Sequence, residues 1–158
     1  MNQLAIHNPA TGALITTVDA DDAASVAVKA GRAHAAQAAW AATPLAARKA
    51  CIERFAAAVR AELETLAAIM TRETGKPIKM SRNELNGLMG RIDFFLGAVD
   101  ASVATETVFA DGGMTEQIQH TPLGVVANIS AWNYPLVRGR QRVCASATGW
   151  QCRAVQTV

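Results

Sequence analysis

The residue types that most often do nucleophilic or metal chemistry are few and scattered in this sequence. Its three cysteines and three histidines stand far apart: Cys51, Cys144 and Cys152, then His7, His34 and His120. No CxxC pair occurs and the cysteine count is odd, so neither a zinc site nor a disulfide framework is predicted. Cys51 lies among apolar residues at helical spacing and is predicted to be a small core residue. We therefore expect no metal site, and no local nucleophile–base pair is visible.

Composition and charge restrict the class of protein. Hydrophobic residues make up 51% of the chain and charged residues 18%, which is enough apolar material for a packed core. The 15 Lys and Arg residues nearly balance the 13 Asp and Glu residues, and the formal net charge of +2 does not favour nucleic acid or an anionic membrane. No apolar run approaches the roughly 20 residues of a membrane span, and Met1 to Ala10 lacks a signal-peptide pattern. We expect a soluble, cytoplasmic protein without nucleic-acid or membrane partners.

The first part of the chain predicts a β-hairpin followed by helices. Two short extended runs, Leu4 to His7 and Ala13 to Val18, flank the turn-forming segment Asn8 to Gly12 (NPATG). Asp21 to Ala42 is rich in alanine and has acidic residues at its start, which favours a helix. Thr43-Pro44 is predicted to be a cap followed by proline at the first position of the next helix.

Further helices and then strands follow. The segment that ends at Thr74-Gly75-Lys76-Pro77 has a helix stop signal, because glycine and then proline come just past its end. A long helix over Met80 to Ser102 carries a broad apolar stripe. After Asp111-Gly112-Gly113, Thr115 to Thr121 predicts an exposed edge strand, and the apolar run Leu123 to Ile129 predicts a buried parallel strand. The pattern is typical of an α/β protein that is mostly helical.

Three segments of the chain resemble landmarks of the NAD(P)-dependent aldehyde dehydrogenase family. They are Asn8 to Gly12, Glu73 to Pro77 (ETGKP) and Pro122 to Pro135 (PLGVVANISAWNYP), and they occur in the family's order. The resemblance rests on all three segments together, in register and with helices between them. The resemblance covers residues 1–135. It implies the N-terminal portion of the family's Rossmann-like cofactor-binding domain, with an N-terminal hairpin and only the first strand of its sheet.

The resemblance implies oxidation of an aldehyde to a carboxylic acid with hydride transfer to NAD or NADP. In the family a cysteine thiolate attacks the aldehyde to form a thiohemiacetal, hydrogen-bond donors hold the oxyanion, and a glutamate activates water. Asn133 matches the asparagine whose side-chain amide is one of these donors, although its local sequence alone favours a turn residue before Tyr134-Pro135. Ser130 and Trp132 match positions beside the cofactor. The nucleophile and the base match no residue here, so we expect the chain alone to be inactive and do not expect it to bind the cofactor.

Partners are also implied by the resemblance. Residues 115–122 match a strand that builds the family's oligomerisation sheet, and intact relatives are expected to be homodimers or homotetramers. The alternation of this segment fits an ordinary edge strand equally well. An alternative function is therefore a non-catalytic fragment that pairs with intact homologous subunits through its open strand edges and helix faces. An independent small enzyme is disfavoured, because no nucleophile–base pair is visible.

The last 23 residues, 136–158, depart from the family pattern. They contain four arginines and no apolar periodicity, where a helix with an apolar face and a second buried strand are expected. Suitable synonymous codons for this tail, read with the first base omitted, encode W-F-V-G-G-N-V-F-A-P-A-L-L-A-G-N-A-V-L-Y-K-P-S. That peptide resembles a continuation of the family sequence and includes its cofactor-binding lysine. We predict a one-base frameshift near the Pro135 codon and a disordered tail, in which Cys144 and Cys152 have no chemical role.

Overall fold

The chain begins with the predicted N-terminal hairpin. Strands β1 (Gln3–His7) and β2 (Leu14–Asp19) pair antiparallel. The Asn8 side chain helps to close the turn between them, because its Oδ1 accepts a hydrogen bond from the Ala10 N–H at 2.9 Å. The computed structural model describes four ranges of the chain: residues 3–121, 123–128, 131–136 and 151–153.

Helix α1 (Ala23–Ala41) begins with a capping box. Asp22 Oδ1 accepts a hydrogen bond from the Ser25 N–H at 2.8 Å, and Ser25 Oγ accepts one from the Asp22 N–H at 2.9 Å. The backbone hydrogen bond from Ser25 favours the carboxylate and holds the pKa of Asp22 below its ordinary value of 3.8. The prediction that a helix begins at the acidic residues Asp21 and Asp22 is confirmed, with Asp22 as its N-cap.

Helices α2 (Leu45–Ala61) and α3 (Leu63–Thr74) follow, and their ends differ in how well the sequence predicts them. Thr43 does not cap α2, because its hydroxyl donates to the Ala39 carbonyl at the end of α1 at 3.0 Å and Pro44 occupies the cap position. The predicted Thr43 cap is wrong. The end of α3 is as predicted, since Gly75 adopts a left-handed φ of 73° at the C-cap.

The core lies between α2, α3 and the long helix α4 (Ile78–Val103). Apolar side chains from the three helices form one buried cluster: Ile52, Ala56, Val59, Ala67, Met70, Leu85, Leu88, Met89 and Ile92. Leu136 packs against its edge. Cys51 is only half-buried and is not part of this cluster, so its predicted place in the core is wrong. Within the described ranges, none of the helices has both the length and the hydropathy of a membrane span.

A second hairpin follows α4. Strands β3 (Glu106–Asp111) and β4 (Met114–Ile118) pair antiparallel through a turn at Gly112 and Gly113, whose φ angles of 55° and 89° are both positive. The edge strand predicted at Thr115 to Thr121 corresponds to β4, while β3 was not predicted. Every residue of both strands is exposed, so no burial pattern was available to reveal β3.

The third sheet pairs β5 (Gly124–Val126) with β6 (Gln151–Arg153) in parallel, beside α1. The fold class is as predicted, but β5 is shorter than expected and Leu123 is 80% exposed. Residues 151–153 form a second sheet strand, where only the first was expected. The rest of the tail that was expected to be disordered, residues 137–150 and 154–158, lies outside the described residues. A ladder of main-chain hydrogen bonds requires no particular side chains, and a lone strand would leave its own groups unpaired.

Candidate functional site

A cleft of about 520 Å³ lies where the three motif segments meet. The hairpin turn contributes one residue, the α3–α4 junction contributes five and the loop after β5 contributes three, in the order Pro9, Glu73, Thr74, Lys76, Pro77, Met80, Trp132, Asn133 and Tyr134. Segments that are distant in the sequence therefore surround one cavity, and the loop that contains Asn133 forms one of its walls.

Lys76 and Glu84 form an ion pair beside this cleft. Lys76 Nζ donates to Glu84 Oε2 at 2.6 Å, and the two side chains are 15% and 1% exposed. Lys76 follows the left-handed Gly75 that ends α3, while Glu84 lies in the second turn of α4 on its buried side. The junction between two helices thus places both charges in a largely desolvated position.

The same ion pair contacts both ends of the segment 133–136. Lys76 Nζ donates to the backbone carbonyl of Asn133 at 2.8 Å, and Glu84 Oε1 accepts from the backbone N–H of Leu136 at 2.9 Å. Lys76 Nζ also lies 4.8 Å from the centroid of the Tyr134 ring, within cation–π range. One buried pair therefore holds the backbone on either side of Tyr134-Pro135.

The structure brings together two of the three site residues predicted by resemblance. Trp132 and Asn133 are neighbours on the wall of the cleft, and both are exposed; Trp132 is 83% accessible. Ser130 lies outside the described residues. The chain stretch that leads to Trp132 and Asn133 begins at the carboxyl end of β5, which is the edge where open α/β sheets bind ligands.

Sequence reasoning did not identify Lys76 and Glu84 as site residues. Lys76 was considered only as part of a helix stop signal and of the family landmark Glu73 to Pro77, with no role of its own. Glu84 did leave a signal, because it stands four residues before Leu88 on the apolar stripe of α4, and a carboxylate there requires a buried partner. The contact of Lys76 with Asn133 spans 57 positions and has no local signature.

Several titratable groups, among them His7, Glu64 and Arg82, lie outside the cleft lining. In the part of the chain that the structure describes, no three His, Cys, Asp or Glu residues cluster as metal ligands would. His7 Nδ1 lies 3.0 Å from the Gly12 carbonyl oxygen in the β1–β2 turn. The hydrogen bond from Arg82 lowers the pKa of Glu64 on the exposed side of the α3–α4 pair. Cys144 and the side chain of Cys152 lie outside the described residues.

Comparison with known sequences gives a consistent result. The sequence model of the Aldehyde dehydrogenase family matches residues 1–150, so the match continues past Pro135. N-succinylglutamate 5-semialdehyde dehydrogenase 1 of Caulobacter vibrioides is 35% identical over 136 residues, which are 85% of this chain and 28% of that protein. The enzyme of the same activity name from Novosphingobium aromaticivorans is 32% identical over 133 residues, 84% of this chain and 28% of its own length. The chain thus spans less than a third of these relatives.

Solved structures agree with the sequence relatives. Succinate-semialdehyde dehydrogenase from Burkholderia pseudomallei superposes with a TM-score of 0.90 at 28% identity, covering 98% of this chain and 32% of the other. PnpE in complex with nicotinamide adenine dinucleotide gives a TM-score of 0.89 at 27% identity, covering 96% and 31%. The cleft is therefore built from segments that this chain shares with these proteins, and the chain belongs to the aldehyde dehydrogenase family.

Proposed function

We propose that the intact form of this protein oxidises an aldehyde to a carboxylic acid with NAD or NADP, and that the 158-residue chain alone does not turn over an aldehyde. The observation that carries the proposal is the placement of Asn133 on an exposed cleft wall whose backbone is held by a buried ion pair. A preorganised amide suits stabilisation of an oxyanion, since it donates hydrogen bonds without titrating near neutral pH.

The residues of the cleft wall suit these roles in different ways. The Asn133 side chain would donate to the oxyanion that forms when a thiolate adds to the aldehyde carbonyl. The exposed Trp132 ring, with Ser130 before it, would line the cofactor at the carboxyl end of β5. A bound nicotinamide dinucleotide would supply the acceptor for the hydride. Cys51 is a poor candidate for the nucleophile, because it is half-buried on α2 and does not line the cleft.

We also propose that the gene carries a one-base shift near the Pro135 codon. The shifted reading turns an arginine-rich tail into an apolar peptide that resembles the family, and at positions 151–153 it reads N-A-V. These are the positions of β6, which pairs parallel with β5 as a second sheet strand would. The pairing of β6 with β5 supports the shift, because a second sheet strand is what the family pattern is expected to place after β5.

The test of both proposals is to restore the reading frame. One base is removed at the Pro135 codon, and the product is assayed for aldehyde-dependent formation of NADH or NADPH, with the 158-residue chain as the matched comparison. Succinate semialdehyde and N-succinylglutamate 5-semialdehyde are the first substrates to try, because the relatives are named for them. Turnover is expected only from the restored product. Turnover by the 158-residue chain would contradict the proposal.

A second variant tests the role of Asn133 in the restored product. Asn133→Ala is expected to lower kcat by about 10²–10³-fold, the usual cost of removing one oxyanion donor. Arg82→Met provides a control at an exposed position outside the cleft lining and should leave kcat within about twofold. If Asn133→Ala leaves kcat unchanged, other donors stabilise the oxyanion and the role proposed for Asn133 is wrong.

The alternative function is a non-catalytic fragment that pairs with intact homologous subunits. It is favoured by the β3–β4 hairpin, whose residues are all exposed and include the apolar side chains Val108, Phe109, Met114 and Ile118. An exposed two-stranded sheet offers unpaired edges to a third strand. Co-expression with a tagged intact homologue tests it: stoichiometric co-purification supports this function, and separate elution contradicts it.

A further inference from the structure

We propose that the Lys76–Glu84 pair is the positioning element of the Asn133 loop, setting where the side-chain amide of Asn133 points in the cleft. The proposal rests on the function proposed above for Asn133 and adds two positioning residues to it. Neither Lys76 nor Glu84 is assigned contact with the reacting atoms. Their effect passes through the backbone of residues 133–136.

The geometry defines the loop from both sides. Lys76 Nζ contacts the carbonyl of Asn133 at 2.8 Å, while Glu84 Oε1 contacts the N–H of Leu136 at 2.9 Å. Lys76 and Glu84 are themselves joined at 2.6 Å. The three bonds link the α3–α4 junction to both ends of a four-residue segment, so movement of either charge would displace the segment.

Burial gives these bonds their strength. The Glu84 side chain is 1% exposed and that of Lys76 is 15% exposed, so water competes little for either group. Hydrogen bonds to charged groups are shorter and stronger than neutral ones, and low local polarity strengthens them further. The exposed pair Arg82–Glu64, which joins the same two helices, has side chains that are 46% and 66% exposed and is screened by solvent.

A structural role of this ion pair can be tested by replacing both side chains with apolar ones. Replacing a buried ion pair by hydrophobic residues of similar volume is often neutral or stabilising, whereas removing one charge leaves the other unpaired. The double substitution Lys76→Met with Glu84→Leu therefore separates stability from positioning. It keeps the packing volume and removes all three hydrogen bonds to the loop and within the pair.

The first measurement is amide hydrogen exchange by NMR on the 158-residue chain, comparing this double variant with the unaltered protein. Exchange of the Leu136 amide is expected to accelerate about tenfold or more, while the amide of Ile52 in the core keeps its protection. Glu64→Leu with Arg82→Met is the matched control and should leave Leu136 unchanged. If the Leu136 amide exchanges at the same rate in all three proteins, the pair does not hold the loop and the proposal is overturned.

The second measurement uses the frame-restored enzyme. There the Lys76→Met, Glu84→Leu variant is expected to lower kcat by up to about 10²-fold, the cost of misplacing a catalytic group by about 1 Å, with KM little changed. An unchanged kcat in this variant, when Asn133→Ala lowers kcat, overturns the positioning role. If Asn133→Ala itself has no effect, the function proposed for Asn133 fails, and the exchange result still decides whether the pair holds the loop.

Discussion

A Cβ atom placed on Gly75 would lie 2.7 Å from Cγ of Pro9, a separation that real Cβ contacts essentially never show. Gly75 ends α3 with a φ of 73°, and Pro9 lies in the β1–β2 turn. Two of the motif segments thus touch at a point where no side chain fits. Glycine is required at this position by its backbone angle and, independently, by its neighbour.

Gly75→Ala is therefore expected to destabilise the chain by about 2–4 kcal/mol. A left-handed alanine costs roughly 1–2 kcal/mol, and forcing a methyl group against the Pro9 ring adds about 1–3 kcal/mol, part of which the turn can relieve by moving. Urea unfolding followed by circular dichroism gives the free energy of unfolding. Gly87→Ala in α4 is the control, because a Cβ atom at Gly87 would meet nothing within 4 Å. This substitution should stabilise the chain by about 0.5–1 kcal/mol, since alanine favours a helix more than glycine does. Equal effects of the two substitutions would contradict the steric explanation.

Leu136 covers a small cavity at the edge of the core. The cavity measures about 50 Å³ and is lined by Val59, Leu66, Leu85 and Leu88 together with Leu136 itself. The frame-shifted reading places tryptophan at this position, and an indole is larger than the side chain of leucine. The larger tryptophan side chain of the shifted reading would therefore extend into this cavity.

Leu136→Trp is expected to stabilise the 158-residue chain by about 1 kcal/mol. Filling 50 Å³ at about 24 cal/mol per Å³ gives this figure. Thermal unfolding compares the variant with Leu123→Trp, which adds the same ring at a position that is 80% exposed and should change little. A lower unfolding temperature for Leu136→Trp would mean that the ring overpacks the site, and it would remove this support for the shifted reading.

Local signals predicted the helices and the first hairpin, while the site depended on contacts between distant residues. The stop at Gly75 is visible because glycine and proline act on their own backbone. Thr43 was misassigned because its hydroxyl bonds back to Ala39, a choice between two local partners that the sequence leaves open. The contact between Lys76 and the Asn133 carbonyl needs the whole helical core to bring residues 57 positions apart together. No propensity or period encodes that distance.

The N-terminus of α1 is expected to weaken in acid through Asp22. The hydrogen bond from the Ser25 backbone lowers the pKa of Asp22. The charged Asp22 side chain therefore stabilises the folded chain fully at pH values above the ordinary pKa of 3.8. This stabilisation is lost as the pH falls through the lowered pKa. Asp21, whose pKa is lowered by Lys29 and Ser25, changes in the same direction. Asp22→Asn keeps a capping oxygen but no charge. Its unfolding temperature should lie below that of the unaltered chain near pH 7 and converge with it towards pH 2.

Asp22→Ala separates the cap from the charge in that experiment. Because alanine removes the accepting oxygen, this variant should stay less stable than Asp22→Asn at every pH where the chain is folded. Parallel curves for the unaltered chain and Asp22→Asn from pH 7 to 2 would show that the charge of Asp22 has no part in holding α1.

The β3–β4 hairpin is expected to drive self-association of the chain. Ile118 is 47% exposed at the end of β4, next to a sheet edge with unpaired main-chain groups. A lysine on such an edge opposes pairing with another strand, so Ile118→Lys should shift the sedimentation profile towards monomer. Val28→Lys is the matched control, since it gives the same charge to an apolar side chain that is 56% exposed but lies in helix α1 rather than on the β3–β4 hairpin. If both substitutions shift the profile equally, the added charge alone disperses the chain; a shift confined to Ile118→Lys identifies the hairpin edge as the surface that associates.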